Sequence, residues 1–588
     1  MKSFFKIFFA SLLAIIVFCV LAFFVMAWIV GSALQSSKPA LGGKGVLVLD
    51  LNTAFNEQGQ KNPINSFADK SSYTPGLYDV VRMLHYAKYD STIKGLYIKA
   101  GDNGNGLAAS EELLRAVQDF KQSKKFVIAY GETMSERAYY VASAADEVYC
   151  HPAGGLEWDG YAVTLSFVKN LLDRLEIQPE IFYAGKFKSA TEPFRATQMT
   201  DPNRLQTNVW LGDLYTRLLQ QISATRGIDT ARLHQLADSN AIQTANDALR
   251  YRLVDGLKYD DDIKTELLQR LHQGSRDKIN FINLSTYAEA ADYKGSSGDR
   301  IAVVFAQGDI IDGKARRGSI ASDQYKDIIR KLRLDNDVKA IVLRVNSPGG
   351  SALASDVIAR EVSLARQVKP VVVSMGDYAA SGGYYISCLA DSIFADAGTI
   401  TGSIGVFSMM PNMQSFFKDK LGITFDGVKT ANHADMLTIT RPLTPQERQF
   451  MQNSVDTIYY TFKDRVATGR KKSIEYIDSI AQGRVWTGAR GIPVGIVDRI
   501  GSLQDAIAVA AKMAKTSSYY TSEYPEPKGW LEQFFDDVAP ESMAQDKVQS
   551  SIEEQIGKKP YQLFLQLKAV QDMLGTPQAR LPFNAEIR

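Results

Sequence analysis

At 588 residues the chain is too long for one ordinary domain and has room for two or more units with their own cores. Its 45% hydrophobic and 22% charged residues are those of a globular protein, and a net charge of +2 excludes the strong basic excess of a nucleic-acid binder. From Ile7 to Val30 the sequence is almost wholly apolar, with Ser11 the one clear polar interruption. Those 24 residues, rising about 1.5 Å each, reach across a hydrocarbon core of about 30 Å. A cleaved signal peptide is the alternative, but its apolar core runs to only about 7–15 residues. Lys2 and Lys6 precede the run and favour a cytoplasmic N-terminus, which places everything after Gly31 on the far side of a membrane. The three cysteines, Cys19, Cys150 and Cys388, match neither a disulfide framework nor a zinc site. Cys150 and Cys388 sit in apolar surroundings and are expected as buried free thiols.

Beyond the apolar run the chain repeats itself. Residues 93–110 (IKGLYIKAGDNGNGLAAS) align without a gap on residues 338–355 (VKAIVLRVNSPGGSALAS), and residues 131–149 align on 376–394 at the same offset, 338 − 93 = 245. Such a period exceeds the 20–50 residues of a solenoid and marks a duplicated domain. In the second copy, residues 301–305 and 340–345 read as strands, 355–367 as a helix, 371–375 as a strand, 384–390 as a short helix and 393–395 as a strand. Strand, crossover helix and strand in series predict a parallel sheet, hence an α/β fold. The glycine-rich stretch 293–300 marks a linker. The expected units are an N-terminus and anchor at 1–31, a first repeat at 32–295, a second at 296–515 and a tail at 516–588. The tail carries Pro525, Pro527 and Pro540 and an amphipathic run at 561–574.

Two glycine motifs stand out in the second copy. Asn346-Ser347-Pro348-Gly349-Gly350 follows a buried strand and precedes a helix, where free N–H groups stabilise negative charge. That is the backbone arrangement of an oxyanion hole, although PGG alone is usually a plain turn. Ala380-Ser381-Gly382-Gly383 also leads from strand to helix, with Ser381 at the helix head and Gly382 N–H as the natural second donor. A helix N-cap is the ordinary reading of such a serine. The first copy places Glu136 opposite Ser381, and Asn103 and Asn105 opposite Pro348 and Gly350. The scaffold therefore requires neither motif, yet the two occur together in one copy.

A serine nucleophile needs a base. None of the five histidines, His85, His151, His234, His272 and His433, falls at an obvious short connection from Ser381. A buried lysine can serve when desolvation leaves its amine neutral. Lys186 and Lys188 in the first copy are candidates, and matching Gly185 to Gly427 sets Lys188 against Thr430. The first copy thus carries a lysine without the serine and the second the serine without that lysine, so a full pair forms only where a first copy meets a second.

The runs NSPGG (346–350), ASGGYY (380–385), GSIGV (402–406) and KSATEPF (188–194) together resemble the long, protease IV form of signal peptide peptidase A, from the apolar run to about residue 515. The resemblance implies tandem crotonase/Clp-protease-like domains behind a transmembrane helix. It implies Ser381 as nucleophile, Lys188 as general base, Ser403 orienting the lysine amine, and Gly350 and Gly382 as oxyanion donors. It also implies a bowl-shaped homotetramer, held in a bacterial inner membrane by a single pass with its catalytic domains in the periplasm. The substrates so implied are signal-peptide fragments and other apolar peptides, and no cofactor or metal is expected. Lys186, Lys429 and His433 remain the rival bases. Val406, Phe407, Met409 and Met410 line either a peptide groove or the core. A crotonase-type acyl-CoA enzyme and a non-catalytic membrane scaffold are the alternative functions.

Overall fold

A computed structural model describes residues 2–34, 38–61, 73–316, 318–526 and 576–581. The amphipathic run at 561–574 lies outside these residues. The chain opens with a 33-residue helix, Lys2–Leu34, whose described side chains, Phe4 and those from Lys6 to Leu21, are all exposed. The side chains of the expected span beyond Leu21 fall outside the description. Among the described residues no helix is long and apolar enough to cross a membrane.

Each repeat then builds one sheet, and the two sheets have the same strand order. In the first it runs Gly256–Leu257, Glu147–Leu156, Phe126–Met134, Ile93–Lys99, Gly45–Asp50, Asn280–Asn283, all parallel. In the second the six corresponding strands run Arg499–Ile500, Ser392–Ala395, Val371–Ala380, Val338–Ser347, Asp299–Gln307, Tyr519–Tyr524, again all parallel, and the sheet gains two more, Ile400–Gly402 beside the end of Val371–Ala380 and Val485–Thr487 antiparallel to Ile400–Gly402. Helices cover both faces, so the central strands are apolar on both sides: Val46 to Leu49 and Ile341 to Leu343 are all buried. The duplication extends to two helices that sequence periodicity did not single out, Asp201–Arg226 and Pro445–Arg470. Both are 26 residues long, follow a threonine N-cap, carry proline in the first turn and end in a left-handed residue.

Several elements differ in extent from the sequence reading. The linker ends earlier, because Asp299 and Arg300 already belong to a strand. The strand from Val371 continues to Ala380 through a bulge between the Val345–Met375 and Ser347–Ala379 pairs, so it delivers Ser381 directly into the helix Gly382–Ser387. The second sheet also extends past residue 515, since Tyr519–Tyr524 forms its edge.

A third, mixed sheet joins the two copies. Its order is Ser319–Ala321, Asp309–Ile311, Gly349–Ser351, Gln578–Arg580, Val406–Asn412, Gln178–Ala184. The last pair is antiparallel over seven residues and couples the second copy to the first. Buried charges weld the same boundary. Arg344 lies 2.8 Å from both Glu57 and Glu112 of the first copy, with all three side chains at most 3% exposed. The one guanidinium serves both carboxylates, and Asn346 Nδ2 adds a hydrogen bond to Glu57 at 2.7 Å, which together offset the cost of burying the charges.

Candidate active site

The lysine arrives from the joining sheet. Just past the strand Gln178–Ala184, Gly185 (φ 104°) turns the chain so tightly that a Cβ there would meet the Gln482 carbonyl carbon at 2.4 Å. Gly483 (φ 74°) faces Lys188 itself, where a Cβ would come within 2.7 Å of the lysine Cβ. Phe187 N–H donates to Gln482 O at 2.8 Å, which pins the turn. The buried Gln206, from helix Asp201–Arg226, donates to Phe187 O at 3.0 Å and Ser189 Oγ at 3.1 Å, while its Oε1 accepts Val485 N–H at 3.2 Å. Lys188 is thereby fixed between both copies.

Ser381 comes from the other side. It stands at the strand-to-helix junction with φ 56° and ψ −113°, a strained conformation for a residue with a side chain. Its own N–H donates to Gly402 O at 2.8 Å and its carbonyl accepts from Tyr385 N–H at 2.8 Å, so the surrounding structure enforces the strain. Ser403 is also left-handed, at φ 50°. The Lys188 amine lies 2.9 Å from Ser381 Oγ, 3.1 Å from Ser403 Oγ and 3.3 Å from Ser403 O. Lys188, Ser381 and Ser403 are all buried, at 1%, 0% and 0% exposure. Burial drives the Lys188 ammonium well below the ordinary lysine range. A neutral amine here has two N–H groups for Ser403 and one lone pair for the Ser381 hydroxyl.

The three rival bases are elsewhere engaged. Lys186 is exposed and lies over the Phe187 ring. Lys429 pairs with Asp435 at 2.7 Å and is 39% exposed, and His433 contacts Glu447 at 3.2 Å. Cys150 and Cys388 are buried and free. Of the four apolar residues after the GSIG run, Val406 and Met410 belong to the second copy's core. Phe407, pointing to the opposite face by strand alternation, stands opposite Gln578.

Gly349 and Gly350 have φ of 102° and 155°, and a Cβ on Gly350 would strike Ile310 O at 2.0 Å. Their strand pairs antiparallel with the tail segment Gln578–Arg580, matching Gly350 to Ala579. Leu581 N–H donates to Pro348 O at 2.8 Å and Ala352 N–H to Pro577 O at 3.3 Å. Hydrogen-bonded pairs alternate along an antiparallel ladder, so the Gly350 N–H faces the Ala579 carbonyl between them. The same carbonyl oxygen borders Gly382, 3.0 Å from where a Cβ there would stand. Sequence reading missed this tail segment, Gln206 and the Glu57–Arg344–Glu112 triad.

Two copies of an α/β unit meeting around one buried serine–lysine pair define a serine peptidase, and comparison with known proteins agrees. The model of peptidase family S49 matches twice, at residues 119–273 and 363–517, once in each copy. The chain belongs to peptidase family S49. It is 38% identical to "Protease 4" of Salmonella typhi, over 79% of this chain and 76% of that protein. It is 36% identical to "Protease 4" of Haemophilus influenzae, over 74% and 72% respectively. The chloroplastic serine protease SPPA of Arabidopsis thaliana is 31% identical over 73% of this chain and 64% of its own length. A ClpP1 mutant from Listeria monocytogenes aligns over 35% of this chain and 94% of its own, at 16% identity and a TM-score of only 0.23.

Proposed function

We propose that the chain is a membrane-anchored endopeptidase that degrades cleaved signal peptides and other apolar peptides with a Ser381–Lys188 dyad. Neutral Lys188 takes the Ser381 proton as the hydroxyl attacks a peptide carbonyl. The Gly350 and Gly382 N–H groups receive the oxyanion, and Ser403 holds the amine in line. The lysine then gives its proton to the leaving amine, and water releases the acyl group by the same route. The observation that carries this reading is the buried 2.9 Å contact between Lys188 and Ser381.

Anchoring is supported by the 33-residue first helix and its exposed apolar side chains, among them Phe8, Leu13 and Phe18. With Lys2 and Lys6 cytoplasmic, the catalytic domains lie in the periplasm of a bacterial inner-membrane protein. Oligomerisation is supported by an unmatched pair of edges. Matching Gly185 to Gly427 sets residues 420–426 against the strand Gln178–Ala184, yet they expose Leu421, Ile423 and Phe425. Residues 161–167 stand 245 before Val406–Asn412, yet form only a single bridge at Val163. Pairing one chain's 420–426 with the next chain's 161–167 repeats the junction seen within the chain. Such a head-to-tail contact closes into a ring, of four chains in this reading.

The test is cleavage of an apolar signal-peptide fragment by the detergent-solubilised full chain and its Ser381→Ala and Lys188→Ala variants. Both variants should fold and lose on the order of 10⁴-fold or more in rate. Cleavage by Ser381→Ala at the parent's rate would refute the reading.

A further inference from the structure

One side chain reaches the supports of both Lys188 and Ser381. Gln206 stands in the second turn of the helix Asp201–Arg226 and is 1% exposed. Its amide nitrogen donates to Phe187 O at 3.0 Å and to Ser189 Oγ at 3.1 Å, on the residues either side of Lys188. Its Oε1 accepts Val485 N–H at 3.2 Å from the second copy. Val485 pairs in turn with Gly402, whose carbonyl takes the Ser381 N–H at 2.8 Å. Beside that pair, Ser403 N–H donates to Arg484 O at 2.7 Å. A single amide therefore ties the turn that carries the lysine to the strands that hold the Ser381 backbone and lead into Ser403. The amide has one orientation. A flip would set Oε1 against the Phe187 carbonyl and its N–H groups against the Val485 N–H. Asn203, one helical turn earlier, supports it. Its Oδ1 lies 3.3 Å from the Gln206 nitrogen, and its Nδ2 donates to Glu192 at 2.8 Å. Glu192, also 1% exposed, accepts both the N–H and the hydroxyl of Thr200.

The structure assigns Gln206 as a positioning residue for the proposed reaction. It holds Lys188 at its distance from Ser381 and acts through the lysine. Buried and with both ends of its amide engaged, it offers nothing to the peptide. The inference rests on the Ser381–Lys188 reading given above. The first copy then supplies more than a base. Glu192, Asn203 and Gln206 form a bracket around that base, and Glu192 belongs to the same KSATEPF run as Lys188.

Gln206→Leu keeps most of the side-chain volume and removes every one of these bonds. With an external apolar peptide and the full chain, kcat should fall on the order of 100-fold, as for a misplacement of about 1 Å, while KM changes by less than about threefold. Labelling of Ser381 by a serine-directed acylating reagent supplies the readout that a merely structural role would not move. Gln206→Leu should slow labelling strongly when Lys188 is present. Added to Lys188→Ala, it should slow labelling no further. Asn203→Ala removes only the support and should give the same pattern with a smaller loss, which also serves if Gln206→Leu does not fold. A kcat within about twofold of the parent, a loss carried by KM, or further slowing in the Lys188→Ala background overturns the inference. Failure of both variants to fold overturns it as well, since the amide would then serve the fold. If Lys188→Ala is inactive and Gln206→Leu is not, the dyad reading stands without this inference. If Lys188→Ala cleaves at the parent's rate, both fall.

Discussion

Asp377 Oδ1 accepts the backbone N–H of Ala108 at 2.9 Å and that of Ala109 at 3.1 Å. A residue four positions before Ser381 thus caps the first copy's helix Leu107–Lys121, whose own N-cap, Gly106, has no side chain to do so. Asp377→Ala leaves two helix N–H groups without this acceptor and should cost about 1–2 kcal/mol. Asp377→Asn keeps an acceptor oxygen. Burial, with Glu57 adding to it, raises the Asp377 carboxyl to about 6. A raised carboxyl holds its proton more tightly in the folded state. Its stabilisation is complete below the ordinary carboxylate value of about 4 and is lost as pH rises through about 6. The stability of Asp377→Asn relative to the parent should therefore grow across that window and then level off. Urea unfolding at half-unit pH steps checks it.

Arg344 is the only positive charge in its buried triad with Glu57 and Glu112. Replacing it with methionine leaves two carboxylates facing each other out of water, and should cost about 3–5 kcal/mol. Because the triad spans both copies, that loss should also loosen the seat of Lys188 against Ser381. Chemical denaturation gives the first quantity. The second is read from peptide cleavage in Arg344→Met under conditions where the variant is folded.

In the proposed reaction the Lys188 amine acts only when neutral. Its folded-state affinity for protons is depressed by burial. Activity should therefore fall on the acid side as pH drops through the depressed value and hold above it. Stability responds to the same depression. Between the depressed value and the ordinary lysine value of about 10.4, the unfolded chain binds a proton the folded chain does not, so stability rises with pH. Lys188→Met removes that dependence. Its stability relative to the parent should be greatest near neutral pH and shrink as pH rises toward 10. Melting curves of the two proteins between pH 7 and 10 decide the matter.

Much of this was legible in the sequence because the chain supplies its own comparison. An offset of 245 set Ser381 against Glu136 and separated the glycines assigned to the proposed chemistry from those shared by both copies. Continuous apolar runs gave the buried parallel strands. The triad was not legible, since Arg344 within a strand and Glu112 within a helix carry no mark of which face meets the other copy. The tail was less legible still. Residues 576–581 (TPQARL) alternate polar and apolar over only six positions with a proline among them, too short a signal to mark a strand, and their pairing rests on backbone groups that any sequence offers.

Ser403 presents both its hydroxyl and its carbonyl to the lysine amine. Ser403→Ala keeps the carbonyl contact and removes the other. The amine then has freedom to turn away from Ser381, and a misplacement of about 1 Å costs on the order of 100-fold. The loss should appear in kcat with KM little changed, because Ser403 is reached through Lys188 and not by the peptide. A rise in KM with constant kcat would place Ser403 in substrate binding instead.

Glu136 and Ser381 stand at matching positions, but the proposed dyad uses only the second. At the first, the Glu136 carboxylate accepts Gly160 N–H at 2.9 Å, and burial raises its carboxyl to about 7. The loop that would form an oxyanion hole is closed by its own amides. Asn103 donates to Ser110 Oγ at 2.9 Å and Arg137 O at 3.0 Å, and Asn105 donates to Thr53 O at 3.0 Å. The second copy's counterpart of Lys188 is Thr430, in an exposed stretch. A Glu136→Ser variant therefore gains a hydroxyl without a base or a hole. A serine-directed acylating reagent should label one residue per chain, Ser381, in the parent and in Glu136→Ser alike. Ser381→Ala, with or without Glu136→Ser, should take up none. Labelling at position 136 would mean that the first copy retains a working site and that the division of roles between the copies is wrong.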